Sequence, residues 1–120
     1  MIRTAVCTLA LVTLGAALAS CGGDGGGDRR IIPISQTDED CTPATIDLKP
    51  SEKVRFEVKN EGKKDREVEG IEGTKLEELL IPSGRTRSIN YTAPSKEGTQ
   101  KVKCYTPGGA STIIELRVAN

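Results

Sequence analysis

A chain of 120 residues has room for one domain. Its 17 Lys and Arg balance 17 Asp and Glu along the whole length, and one Phe and two Tyr supply all the aromatic rings, so neither a basic stripe nor a base-stacking platform for nucleic acid is present. Histidine is absent and the only methionine is Met1, which removes the commonest general base, the commonest metal ligand and the thioether ligand together.

The chain opens with Arg3 and then an uncharged run of Ala, Leu, Val, Thr and Gly from Ala5 to Leu18. That run is too short to cross a bilayer comfortably and reads as the apolar core of a signal peptide over residues 1–20. Leu18-Ala19-Ser20-Cys21 resembles the bacterial lipobox, in which small residues fit a narrow peptidase cleft and the cysteine thiol takes a diacylglycerol. The resemblance implies lipidation at Cys21 and an extracytoplasmic, membrane-anchored location. Residues 21–30 continue with Gly-Gly-Asp-Gly-Gly-Gly-Asp and two arginines, a flexible tether spanning roughly 15 to 18 Å. No strand precedes these glycines, so they do not read as a phosphate-cradling loop.

From Ile31 to the C-terminus the sequence breaks into short runs of period-two alternation separated by Pro, Gly, Asn and Ser, an all-β rhythm. The predicted strands, in order, are Ile31 to Ser35, a run carrying Ile46 and Leu48, a run carrying Val54, Phe56 and Val58, Arg66 to Ile71, Thr86 to Thr92, Thr99 to Tyr105 and Thr112 to Val118. The third is the clearest: Lys53, Arg55, Glu57 and Lys59 occupy the face opposite its apolar residues. Leu76, Leu79 and Leu80 have helical spacing and predict one helical turn, or a loop packed on the edge. Ile89, Tyr91, Val102, Cys104, Ile114, Leu116 and Val118 are expected to face inward. Seven strands in about ninety residues predict a Greek-key β-sandwich with Phe56 at its centre. Tyr91 and Tyr105 are expected to be structural, their hydroxyls reaching a loop carbonyl or water.

Of four cysteines, Cys7 falls in the signal segment and Cys21 takes the lipid, leaving Cys41 and Cys104. Outside the cytoplasm such a pair reads as a disulfide. The competing reading makes Cys104, with or without Cys41, a thiolate metal ligand.

The segment from Cys41 onward resembles the cupredoxin-like domain of EfeO-type periplasmic iron-uptake lipoproteins. The matching pieces are Cys41-Thr42-Pro43, Val54-Arg55-Phe56-Glu57-Val58-Lys59-Asn60 with its turn, Glu67-Val68-Glu69, Glu77-Glu78, Ile81-Pro82-Ser83-Gly84, and Cys104 near the end of its strand. Blue-copper members hold their metal with a histidine after the Asn-Gly turn and a Cys-His-Met set before the last strand. Here Glu67 stands at about the first position, and Tyr105-Thr106-Pro107-Gly108-Gly109-Ala110 carries no histidine or methionine, so no type I copper site is expected. The resemblance implies Glu67, Glu77, Glu78 and Cys104 as metal-binding candidates. Carboxylates near a strand end usually form a solvated face, so Glu67, Glu69, Glu72, Glu77 and Glu78 also read as ordinary surface acids; three of them converging would suit a hard cation.

The residues and the resemblance together imply a membrane-anchored envelope lipoprotein whose cupredoxin-like module binds a protein or peptide partner, without catalysis and without a resident cofactor. The alternative is an iron- or copper-binding protein that assists an EfeO-type uptake system. Substitution Cys21→Ser is expected to release the protein from the membrane fraction; a variant that still sediments with membranes, beside a wild type without acyl mass, would remove the lipid anchor from this reading.

Overall fold

The computed structural model describes residues 28–120. The expected signal peptide, Cys21 and most of the tether lie outside the described residues. Nine strands and no helix make up the described part: β1 (Arg30–Gln36), β2 (Cys41–Thr42), β3 (Thr45–Leu48), β4 (Lys53–Asn60), β5 (Arg66–Ile71), β6 (Leu79–Ile81), β7 (Thr86–Thr92), β8 (Gly98–Tyr105) and β9 (Ser111–Val118). One sheet runs β2-β1-β4-β7 and the other β3-β9-β8-β5-β6. β1 lies parallel to β4 and β3 parallel to β9, while the remaining pairs are antiparallel. Only the β1–β2, β5–β6 and β8–β9 connections stay within a sheet, so the chain crosses the sandwich repeatedly, as the expected Greek key requires.

The alternation written into the sequence decides which side of each strand is buried. β4 buries Val54, Phe56, Val58 and Asn60 and exposes the charged residues between them. Facing it, the second sheet contributes Val68, Val102, Ile114, Leu116 and Val118, all at most 2 % exposed. Phe56 stacks on Tyr91 with ring centroids 5.6 Å apart, and the two rings fill the space between the sheets.

Two short strands were not expected. β2 has two residues and β6 three, too few to display a period. The leucines of the β5–β6 connection do not form a helical turn. Thr74 N–H closes a turn on the Ile71 carbonyl, Gly73 takes φ +88°, and the chain then runs extended, with Leu76 buried, Leu79 half-buried and Leu80 exposed. Gly70 permits this path, because a Cβ there would collide with the Thr74 carbonyl. Ile89 is half-buried, consistent with its place on an edge strand.

Phe56 is 1 % exposed. Phe56→Ala is therefore expected to cost about 3 to 5 kcal/mol in chemical denaturation, by lost burial and by the cavity left against Tyr91. A midpoint close to wild type would contradict this inner-face register.

Candidate functional site

The site is best built from the β5–β8 pair, in which Val68 stands opposite Cys104 and Glu67 opposite Tyr105. Alternation then sends Arg66, Val68 and Cys104 into the sandwich, and Glu67, Glu69, Lys103 and Tyr105 to the outer face of the five-stranded sheet. The candidate metal residues are thereby divided between two environments.

On the inner side, Cys104 is fully buried and bonded to Cys41, with Cα atoms 6.4 Å apart. The bridge joins β2 of one sheet to β8 of the other and closes a separation of 63 residues, which the chain-entropy account values at about 4 kcal/mol. Arg66 leads β5 on the same inner side and is also fully buried. Its Nη1 donates to the Asp38 carbonyl at 3.0 Å and to Thr106 Oγ1 at 3.3 Å, whereas Nε and Nη2 have no protein partner among the described residues. Burial pulls the guanidinium below its ordinary range, and the nearby Asp38 and Asp40 oppose that pull. The residue after the turn that points toward Cys104's side is therefore Arg66. Glu67, expected at that position, faces the other way because it is one residue out of phase.

Asn60 fixes the turn before Arg66. Its side-chain amide donates to the Lys64 and Ile81 carbonyls at 2.8 and 2.9 Å, and its Oδ1 accepts from Gly62 N–H at 2.9 Å. Asp38 accepts from the Lys63 and Lys64 amides, tying the β1–β2 loop to the same turn. Gly62 is required at this contact, since a Cβ would strike the Asp38 carboxylate. Gln36 completes a buried polar layer at this end of the sandwich, on the inner side of β1 next to Asn60 and Cys41 in the ladder.

On the outer side, three carboxylates meet one phenol. Tyr105 Oη lies 2.6 Å from Glu67, 3.0 Å from Glu69 and in a short contact with Glu78, while Lys103 Nζ sits 4.4 Å from the centre of the Tyr105 ring. A phenol has one proton to donate, so it can satisfy one of these oxygens at a time. Burial and the three carboxylates push the Tyr105 hydroxyl far above its ordinary range. The Tyr105 hydrogen bond draws Glu67 downward, but a proton shared with Glu78, burial, and repulsion from Glu78 and Glu69 outweigh it and leave Glu67 raised. Glu78 is lowered by its bonds to Tyr105 and Glu67. The two carboxyls therefore titrate as a coupled pair, Glu67 after Glu78 as pH rises.

Of the expected metal set, Glu67 and Glu78 are brought together, Cys104 is bonded on the opposite face of the sheet, and Glu77 is exposed and outside the cluster. Glu72 instead pairs with Lys101 at 3.3 Å. Among the described residues no group of three or more Cys, Asp or Glu is arranged to hold a metal ion; the glutamates converge on the phenol. Arg66 is the residue that sequence reasoning missed; Glu69 was expected as a surface acid, and the Tyr105 hydroxyl, expected at a loop carbonyl or water, reaches the glutamates instead.

The model of the cupredoxin-like domain family matches residues 7–111. No curated protein matches the sequence. Among solved structures, reduced auracyanin from the photosynthetic bacterium Roseiflexus castenholzii is 16% identical, with 78% of this chain and 100% of that chain covered and a TM-score of 0.61. A copper binding protein solved in its apo form is likewise 16% identical, covering 80% and 93%, with a TM-score of 0.60. Copper nitrite reductase from Nitrosomonas europaea is 15% identical over 80% of this chain and 50% of its own, with a TM-score of 0.62.

The outer cluster has a defined pH behaviour. The raised Glu67 stabilises the fold at pH below the ordinary carboxylate value, and this contribution is lost as pH rises through its folded value; the lowered Glu78 contributes above the ordinary value and is lost as pH falls through its own. Tyr105→Phe removes the hydrogen bond that lowers both, so both carboxyls are expected to titrate at higher pH than in wild type when followed by carboxyl-carbon NMR shifts. Unchanged titrations would show that the phenol proton does not serve these glutamates.

Proposed function

Because this chain belongs to the cupredoxin-like domain family, we propose that it is a binding module of the cell envelope, tethered to a membrane by lipid at Cys21, with the metal-bearing end of the fold given over to a structural plug. The observation that carries this reading is the pairing of the Cys41–Cys104 bridge with the buried Arg66. A copper ion does not fit these residues. The one sulfur at the family's ligand position is consumed in a disulfide, a guanidinium cation lies on the same inner side, and neither histidine nor a methionine other than Met1 exists to complete a ligand set. What remains for function is the surface, offered to a protein or peptide partner.

A second reading rests on the outer cluster. Glu67, Glu69 and Glu78 gather oxygen ligands of the kind a hard cation such as iron prefers over copper. It would make the protein an accessory of an EfeO-type iron uptake system.

One titration separates the two. The purified protein, before and after reduction by a dithiol, is mixed with copper(II) and separately with iron(III), and bound metal is counted by native mass spectrometry. The binding-module reading expects no stoichiometric metal and no intense visible charge-transfer band in any of the four mixtures. Stoichiometric iron that disappears in Glu67→Gln and Glu78→Gln would establish the second reading, and a blue copper band would overturn the plug.

A further inference from the structure

β7 is the longest open edge of this sandwich among the described residues; the part of β1 that β2 leaves uncovered, residues 30–34, is shorter and carries Pro33. The other edge strands are short, with two residues in β2, four in β3 and three in β6, against seven in β7. A free edge presents a row of unpaired N–H and C=O groups, and natural proteins shorten, bulge or charge such edges to stop a second strand from adding. β7, Thr-Arg-Ser-Ile-Asn-Tyr-Thr, contains neither proline nor glycine and has one charged residue, Arg87. Its exposed edge is therefore left almost unguarded.

The ladder fixes which of its peptide groups are free. Ala93 N–H donates to the Glu52 carbonyl and Asn60 N–H to the Arg85 carbonyl at the two ends of the β4–β7 pair. Antiparallel alternation between those ends turns residues 87, 89 and 91 toward β4. Arg29, whose Nη1 reaches the Val54 and Tyr91 carbonyls together, matches that phase. The N–H and C=O of Thr86, Ser88, Asn90 and Thr92 face away from the sheet.

We infer that β7 pairs antiparallel with β7 of a second copy of this chain, about a two-fold axis at Ile89. That register is the one that uses the whole strand. Thr86 stands opposite Thr92 and Ser88 opposite Asn90, so each outward peptide group meets a partner, and the side chains form hydroxyl and amide pairs. Ile89 meets Ile89 in a non-hydrogen-bonded pair, where side chains approach most closely, and covers the part of it that its own core leaves exposed. Arg87 falls opposite Tyr91. Centring the axis on Arg87 instead would set two guanidinium groups face to face, and centring it on any other residue leaves part of the outward row unpaired. The result is one continuous eight-stranded sheet across two copies.

A seven-residue strand is about 23 Å long, and pairing along it buries less than the roughly 800 Å² per partner of a standard stable interface. The contact is weak in solution and is favoured when copies share a surface, where effective concentrations reach the millimolar range. Its strength on a membrane rests on the tether reading; its register does not.

Single cysteines introduced into the full chain in lipid vesicles read the register under mild oxidation. Ile89→Cys is expected to give an intermolecular disulfide at least tenfold faster than Ser88→Cys or Asn90→Cys alone, while those two mixed cross-link to each other, the linked peptides being identified by mass. The exposed Ser88 and Asn90 variants keep the test alive should Ile89→Cys fail to fold. The same comparison in Cys21→Ser at millimolar concentration separates pairing from tethering. Position-selective linking there without membrane binding overturns the tether alone. Equal linking at positions 88, 89 and 90, or none in either preparation, overturns the β7 pairing.

Discussion

Successive residues of a strand point to opposite sides, and along β5 and β8 this constraint separates two chemistries by a single peptide unit. Arg66 and Cys104 go in; Glu67 and Tyr105 go out. The inward pair helps join the sheets, since the bridge reaches β2 and the guanidinium reaches the carbonyl of Asp38 in the loop before it. The outward set is left to gather charge on the surface. A one-residue slip of β5 would bury carboxylates and expose Arg66, and one of β8 would turn Cys104 away from its partner.

A buried guanidinium without a bonded carboxylate is an expensive group to place in a fold. Here it is surrounded by polar neighbours rather than by aliphatic ones alone. Thr106 and the Asp38 carbonyl accept from it, Asp38 and Asp40 supply negative potential, and Asn60 organises the turn that delivers it. This end of the cupredoxin-like fold is held by a covalent bond and hydrogen bonds between its own residues. Together they tie the loops at this end to each other and to both sheets.

Much of this was legible from the sequence because its evidence is periodic. Val54, Phe56 and Val58 announce their strand, Ile114, Leu116 and Val118 announce another, and Cys41 and Cys104, outside the expected signal segment and lipobox, read as a bridge against a competing reading as thiolate ligands. β2 and β6 were not legible, since two or three residues cannot show a period and their pairing depends on distant strands. Leu76, Leu79 and Leu80 suggested a helical turn because spacing carries no information about the turn closed by Thr74 or the clearance at Gly70. Arg66 was overlooked for a physical reason: a charged residue after a polar loop is normally solvated, and only its phase with Val68 reveals that it points inward. The meeting of Glu67, Glu69 and Glu78 at Tyr105 joins three elements and could be found only in three dimensions.

The start of β1 has a mechanical consequence. Arg29 grips the Val54 and Tyr91 carbonyls, and Arg30 binds Glu52 and the Asp47 carbonyl, so the incoming chain is clamped at the end of the sandwich opposite the disulfide. From there β1 runs parallel to β4 through seven matched residues, Arg30 against Val54 to Gln36 against Asn60. A pull on the residues before Arg30, resisted by a grip on the far end, loads that ladder along its length. Its hydrogen bonds then share the force in shear instead of opening one after another, so β1, by which the chain enters the sandwich, is also the strand placed to withstand tension.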